Sequence, residues 1–271
     1  MSVKELKKTK RLFISKGEMT ISLEPVAYMD SLKELIIHNC IITDFEKISG
    51  AIELKKLILV NCQFEYEKLG ELTKLSKFNQ LTLRKMPIDD ISCLLKCKSL
   101  KQLRLLEMND LDVTKLGDFS KLQELELDKM TVPSFDFLKE YKALKMLEIK
   151  NIEIGSLDFL ENLKKLTSFK SEDRAMNEDG LKYIKNMKNL KELDYPVGDM
   201  ELIRGCEKLE CVGIYAPGFK NVEALKDSNI HSVSIYEGRN IEELKSIIAS
   251  VEEYVHLTSY GWKGDFDDDE F

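Results

Sequence analysis

The chain has 271 residues, a net charge of −7, 43% hydrophobic residues and 33% charged residues. This composition is typical of a water-soluble protein with a thin core, and the acidic balance with no continuous basic stripe argues against nucleic-acid binding. No stretch approaches the roughly 18 apolar residues of a membrane-spanning helix, and no apolar run of signal-peptide length follows the basic start Met1–Arg11. We therefore expect a cytoplasmic monomer without membrane attachment. Its richness in Lys, Glu and Ile is typical of a bacterial protein.

Residues 1–31 are predicted to form an N-terminal cap. Within this segment, residues 11–23 indicate two short strands around a turn at Lys16 and Gly17, and residues 25–30 resemble the closing half of a repeat. Stacked repeats need such a cap because their terminal units otherwise expose apolar surface.

From residue 32 to residue 250 the pattern Leu-x-x-Leu-x-Leu recurs at a step of about 22 residues. Two clear copies run from Leu122 to Leu127 and from Leu144 to Ile149. The other copies begin at Leu32, Leu54, Phe78, Leu100, Leu166, Leu190, Leu209 and Ile230. This period predicts about ten stacked units, each too small to bury its own apolar face.

Each repeat contains two kinds of periodicity. We number the positions of each repeat from the first Leu of the pattern, so that Leu122 is position 1 and Leu125 is position 4. Positions 4 and 6 are apolar and alternate with polar neighbours, which predicts a half-buried strand. The back half carries apolar residues three apart, as in Phe135, Leu138 and Tyr141, which predicts a short helix or 3₁₀ segment. Stacking the units would align the strands in one parallel sheet. In a later unit, residues 178–188 favour a true α-helix.

Residues 251–271 are predicted to form a C-terminal cap strand near Tyr254–Leu257 and an acidic tail from Gly264 onward. Tyr260 and Trp262 are expected to cover the last core layer. The tail is interpreted as a disordered, solubilising end.

These repeats resemble the leucine-rich repeat family, in particular the short 22-residue class of bacterial internalins and of the protein phosphatase 1 regulator. The resemblance implies an α/β right-handed solenoid with a parallel concave sheet and short convex helices. One departure concerns position 9, where the family usually carries an Asn that bonds the turn backbone. This chain has there Cys40, Cys62, Met86, Met108, Met130 and Ile152. We expect water or backbone to satisfy the turn amides instead, because these side chains cannot form an amide ladder.

Catalytic and metal-binding chemistry finds little support in the sequence. The three histidines fall in different units, and no nucleophile motif or Gly-rich phosphate loop accompanies them. Cys93 and Cys97 are spaced for one helix face, but no further ligands complete a tetrahedral set. Cys211, at position 3, is the one cysteine that could be a reactive thiol, and the interpretation we favour for it is an ordinary reduced surface cysteine. We expect neither an enzyme nor a bound cofactor or metal.

Function is therefore expected on the exposed strand positions 3, 5 and 7, which share the concave face. Along the stack these positions form four groups. They are an apolar zone of Ile36, Ile58 and Val60, a basic step at Arg84 and Arg104, an acidic middle, and two tyrosines. The partner-binding candidates are Glu126, Asp128, Glu148, Glu172, Asp194, Tyr215 and Tyr236. Each group also has an alternative interpretation. The acidic residues could form ordinary solvated surface, and the N-terminal cap could cover the apolar zone. The two tyrosines could stack on each other between neighbouring strands.

The sequence thus predicts a non-catalytic protein–protein interaction module that binds a partner on its concave face, and a basic protein is one candidate partner. Two narrower alternatives remain open. The first is an immunity or antitoxin protein that masks a basic toxin, and the second is a regulatory subunit of an enzyme. Both rest on analogy with the fold.

Overall fold

The structure is a computed structural model that describes residues 3–117, 119–171, 182–185, 187–215, 220–225, 228–236, 249 and 256–258. The chain divides into two compact units, Met1–Gly155 and Ser156–Phe271. Among the described residues, no helix is both long enough and apolar enough to cross a membrane.

The described residues of the first unit form one short α-helix and seven parallel strands. Helix α1 spans Val3–Lys8, and the strands are β1 (Arg11–Ser22), β2 (Glu34–Thr43), β3 (Lys56–Val60), β4 (Gln80–Arg84), β5 (Gln102–Leu106), β6 (Glu124–Asp128) and β7 (Met146–Lys150). Each strand pairs in parallel with the next one along the chain. The connections contain short 3₁₀ helices at Glu24–Tyr28, Phe45–Gly50, Tyr66–Lys74, Ser92–Lys96, Val113–Lys115 and Asp136–Glu140.

In its described residues, the second unit has the same arrangement, with five parallel strands. These are β8 (Ser168–Ser171), β9 (Glu192–Val197), β10 (Cys211–Tyr215), β11 (Ser232–Tyr236) and β12 (His256–Thr258). Its 3₁₀ helices lie at Asp158–Asn162, Met200–Ile203 and Val222–Leu225. Strands β2 to β11 coincide with the ten copies of the sequence pattern, so the predicted repeats are confirmed.

Burial follows the predicted alternation within each strand. In β6, Leu125 and Leu127 are fully buried while Glu126 between them is not. Leu125 is in register with Leu103 on β5 and Leu147 on β7, and all three lie in the core. Equivalent leucines therefore form continuous columns, and each unit buries its apolar face against its neighbours.

In the first unit, the six repeats that contain β2 to β7 each have a left-handed residue at position 8. These residues have φ between 48° and 54°, and they are Asn39, Asn61, Lys85, Glu107, Lys129 and Asn151. Four of their amides donate to the position-7 carbonyl of the next unit, as Asn61 N does to Arg84 O at 2.9 Å and Lys129 N to Lys150 O at 3.1 Å. The expected backbone satisfaction of the turn amides is therefore confirmed for these units.

Sulfur contributes to this turn network, contrary to our expectation. The Met86 Sδ accepts a hydrogen bond from the Cys62 amide at 3.2 Å, and the Cys62 thiol lies 3.3 Å from the Ile37 carbonyl, to which it donates. Thiol and thioether groups thus replace part of an amide ladder because both can form weak hydrogen bonds.

The predicted strand–turn–strand at residues 11–23 is wrong. These residues form the single strand β1, and both of its halves run parallel to β2. Gly17 and Glu18, each with positive φ, produce a register shift between Ser15 and Met19. The Lys16-Gly17 signal therefore marks a bulge within one strand and not a turn between two strands.

Predictions for the later segments are tested only in part. Of residues 178–188, the described helical residues are 182–184, and the remainder lies mostly outside the described residues. Strand β12 spans His256–Thr258 and overlaps the predicted cap strand at residues 256 and 257, while residues 254 and 255 lie outside the described residues. Tyr260, Trp262 and the acidic tail lie outside the described residues.

Candidate protein-binding face

Side chains at positions 3, 5 and 7 define what we call the open face of the sheet. In β6 these residues are Glu124, Glu126 and Asp128, which alternate with the buried leucines. All three are half-buried because neighbouring strands lie only about 4.8 Å apart and shield their stems.

The N-terminal part of the open face is apolar. Ile58 and Val60 on β3 are half-buried, and Ile36 on β2 is 7% exposed. Phe13 on β1 is in register with Ile36 and is 56% exposed, and its ring meets His38 edge to face at 5.1 Å. Strand β1 therefore adds Phe13 to this apolar zone, defined as Phe13, Ile36, Ile58 and Val60, in which Ile36 is buried and Phe13 is exposed.

The basic step is tied to a carboxylate that sequence reasoning missed. Glu107, at the left-handed position 8, places its Oε1 2.8 Å from Arg84 Nε and its Oε2 3.4 Å from Lys85 Nζ. Burial alone would raise the pKa of Glu107, but the hydrogen bond and charge of Arg84 outweigh it and hold the pKa below its usual value. The same arginine and, above all, burial lower the pKa of His38.

The acidic candidates of the first unit are brought together but are not a plain row of negative charge. Glu126 and Glu148 are Cα partners on β6 and β7. Glu126 lies 3.1 Å from Arg104 Nε and 3.2 Å from Lys150 Nζ, and Lys150 also lies 2.8 Å from Glu148. Burial would lower the pKa of Lys150, but the two carboxylates overcome it and the pKa rises.

Asp128 occupies the next open-face position on β6. Its Oδ1 accepts a hydrogen bond of 2.8 Å from the Asn151 side chain, and its Cα partner on β7 is Lys150. We call Glu126, Asp128 and Glu148 with Arg104 and Lys150 the charge ladder. Within it, Arg104 and Lys150 partly neutralise the charges of Glu126 and Glu148, while Asp128 accepts its hydrogen bond from a neutral amide.

The remaining candidates belong to the second unit. Asp194 on β9 is in register with Lys170 on β8 and Gly213 on β10. Tyr215 and Tyr236 are Cα partners on β10 and β11, as the repeat register predicted. Glu172 lies outside the described residues.

A scan against protein-family models and a search of curated proteins found no match. Among solved structures, the chain is similar to an internalin (inlF) from Listeria monocytogenes, with 16% identity, a TM-score of 0.61, and coverage of 97% of this chain and 90% of that one. It is also similar to TLR13 in a TLR13–ssRNA13 complex, with 17% identity, a TM-score of 0.59, and coverage of 88% of this chain and 42% of that one. The fold is that of a leucine-rich repeat protein.

The side chains of this leucine-rich repeat fold offer few reactive groups among the described residues. No cluster of three or more His, Cys, Asp or Glu residues that could hold a metal ion occurs there. Burial raises the pKa of Cys93 and Cys97, and burial together with Glu192 and Glu210 raises that of Cys211. A raised pKa disfavours the thiolate, so the environment of Cys211 does not activate it.

Proposed function

We propose that this chain is a non-catalytic protein-binding module that receives its partner on the open face of the sheet. The observation that supports this best is the in-register surface of the first unit, where half-buried side chains pass from the apolar zone to the charge ladder over neighbouring strands. Regular, rigid strands hold these side chains at a constant spacing, which suits recognition of a preformed protein surface.

The apolar zone is the proposed centre of contact. Phe13 offers an aromatic ring that is more than half exposed, and Ile58 and Val60 present apolar surface beside it. Aromatic and aliphatic anchors on a dry patch dominate the energetics of most interfaces. When a partner covers these side chains, the burial of apolar surface contributes a favourable free energy of about 25 cal/mol per Å².

The charge ladder is proposed to fix the partner's orientation. Glu126 and Glu148 already form ion pairs with Arg104 and Lys150, so a basic partner must compete with these internal pairs for the two carboxylates. Contacts between a partner and these carboxylates therefore add little affinity. A partner that places a charge beside a group of the same sign binds more weakly, so the charge ladder contributes mainly to specificity. Arg104, whose side chain is 60% exposed, is available to an acidic group of the partner as well.

Asp194, Tyr215, Tyr236 and Glu172 remain proposed contact residues of the second unit. The tyrosines lie on adjacent strands in register, and tyrosine is enriched at binding hot spots. A basic toxin and a regulated enzyme remain the two narrower hypotheses for the partner, and the salt dependence of binding would distinguish them.

The test begins with affinity capture of a partner and continues with binding measurements on matched variants. Val60→Asp places a charge in the apolar zone, and Ile52→Asp makes the same kind of change at an exposed residue away from it. Glu148→Lys breaks an ion pair with Lys150 on the open face. Its control is Glu140→Lys, which breaks an ion pair between Glu140, on a 3₁₀ helix, and Lys142.

The expected result is a loss of at least about tenfold in affinity for Val60→Asp and a smaller loss for Glu148→Lys. The two control variants should bind like the unmodified protein. Equal losses in the control and open-face variants, or no loss in either, would place the partner elsewhere on the molecule.

A further inference from the structure

The first strand of the unit Met1–Gly155 has a free edge. In the described part of the chain β1 is the end strand of the sheet, and β2 is its one strand neighbour. On the following strands, the position-3 amide and the position-7 carbonyl point to the preceding strand, as shown by Lys56 N bonding Lys33 O and Asn61 N bonding Arg84 O. By the same alternation, the backbone groups of residues 11, 13 and 15 point away from β2.

This edge also leaves apolar side chains uncovered on both faces of the strand. Leu12 and Ile14 are only half-buried, whereas their partners Leu35 and Ile37 on β2 are fully buried. Phe13, between them, is 56% exposed on the open face. The core layer at this end is therefore incomplete, although stacked repeats are stable only when their terminal layer is shielded.

The charge of the edge is opposite to that of the whole chain. Residues 8–18 carry four basic residues and one acidic residue, while the chain has a net charge of −7. Lys8, Lys10 and Lys16 are exposed and form no ion pair within the described part of the chain. Two such edges would repel each other, so pairing between copies of this chain is disfavoured, whereas an acidic strand is attracted.

We propose that the segment Arg11–Ser15 docks an extended acidic segment of a partner protein by β-strand addition. The added strand bonds the outward backbone groups, covers Leu12 and Ile14 with apolar side chains on one face, and brings carboxylates near the edge lysines. The bulge at Gly17 and Glu18 ends the straight segment and limits the ladder to about five residues. This surface adjoins the apolar zone at Phe13 but uses the edge backbone of β1 and the edge lysines, so it does not depend on the charge ladder.

The probe is a fluorescent synthetic peptide of about nine residues, long enough to pair with a five-residue strand. It carries valines on one face and an Asp-Phe-Asp series on the other. A second peptide of the same sequence carries N-methyl groups on alternate amides and therefore cannot donate the hydrogen bonds of an added strand. Binding is measured for the full chain and for Lys10→Glu/Lys16→Glu. The control Lys98→Glu/Lys121→Glu makes the same change of charge at exposed lysines away from the edge.

We expect saturable binding of the unmethylated peptide, a loss of about tenfold or more in Lys10→Glu/Lys16→Glu, and no loss in the control. Bound peptide should slow amide exchange at Phe13 and Ser15. The absence of saturable binding at about 1 mM would overturn the proposal. So would equal binding of the methylated peptide or equal losses in both double variants, because either result indicates general charge attraction. Self-association of the chain that Lys10→Glu/Lys16→Glu changes would assign this edge to a second copy and would also overturn the proposal.

Discussion

Adjacent residues on β6 should respond very differently to truncation. Leu125 is 2% exposed and lies in a column between Leu103 and Leu147, whose spacing is set by the strand hydrogen bonds and cannot collapse. Leu125→Ala should therefore cost about 3–4 kcal/mol, within the usual range for a buried leucine. Glu126 is 15% exposed and forms two partly exposed ion pairs, each worth roughly 0.5–1 kcal/mol, so Glu126→Ala should cost about 1–2 kcal/mol.

The measurement is urea unfolding followed by far-ultraviolet circular dichroism, with comparison of m-values to check that the transitions are alike. Leu147→Ala serves as a second core variant and should match Leu125→Ala. Arg104→Ala removes one of the two ion pairs and should cost less than Glu126→Ala. The reasoning is refuted if Glu126→Ala destabilises the protein as strongly as Leu125→Ala, because the column would then not dominate the stability of this strand.

Three further predictions concern the turns and the thiols. Glu107 has a lowered pKa in the folded protein, so its contribution is complete above its unfolded pKa of about 4.3 and is lost as the pH falls through the folded value. Acid unfolding of Glu107→Gln should accordingly depend less steeply on pH below about pH 4, and an unchanged profile would contradict the pairing with Arg84. Lys129 has φ of 49°, so Lys129→Gly should raise the free energy of unfolding by up to about 1 kcal/mol, and a destabilised variant would argue against the left-handed turn. The half-exposed Cys93 and Cys211 should react with a thiol reagent before the buried Cys206, whose pKa burial raises to about 11, and mass spectrometry of the labelled peptides would reveal the reverse order.

The repeat period made the strands and their register predictable. Because the apolar positions recur every 22 residues or so, equivalent residues must stack, and the Cα partnership of Glu126 with Glu148 or of Tyr215 with Tyr236 follows from counting alone. The alternation predicts an exposed position 5, but it predicts neither the half-buried state of Glu126 nor its pairing with Arg104. Side chains on a closely spaced sheet shield each other, and an alternating pattern does not reveal the degree of that shielding.

The N-terminal segment shows where the periodic argument fails. Residues 11–23 precede the first clear copy of the pattern, so a local turn signal at Gly17 was the one guide to their structure. Tertiary pairing with β2 decided the result, and the turn signal became a bulge within a single strand. Glu107 was missed for a related reason. Glu107 is at position 8, outside the alternating part of the repeat, so the alternation gives no direction for its side chain. In the structure Glu107 has a left-handed conformation and pairs with Arg84.

Ion pairs in this fold often join residues one repeat apart, and this has a consequence for binding. Glu34 contacts both Arg11 and Lys56, one strand away on each side, and Glu126 contacts Arg104 and Lys150 in the same way. Each such carboxylate is thus held between two cations by the stacking itself. A partner approaching the open face gains little from charges that are already paired, because every new contact must replace an internal one. The apolar zone has no comparable internal competition, since its exposed surface is in contact with water in the free protein. For this reason the stacking that neutralises the charge ladder also favours the apolar zone as the main source of binding energy on the open face.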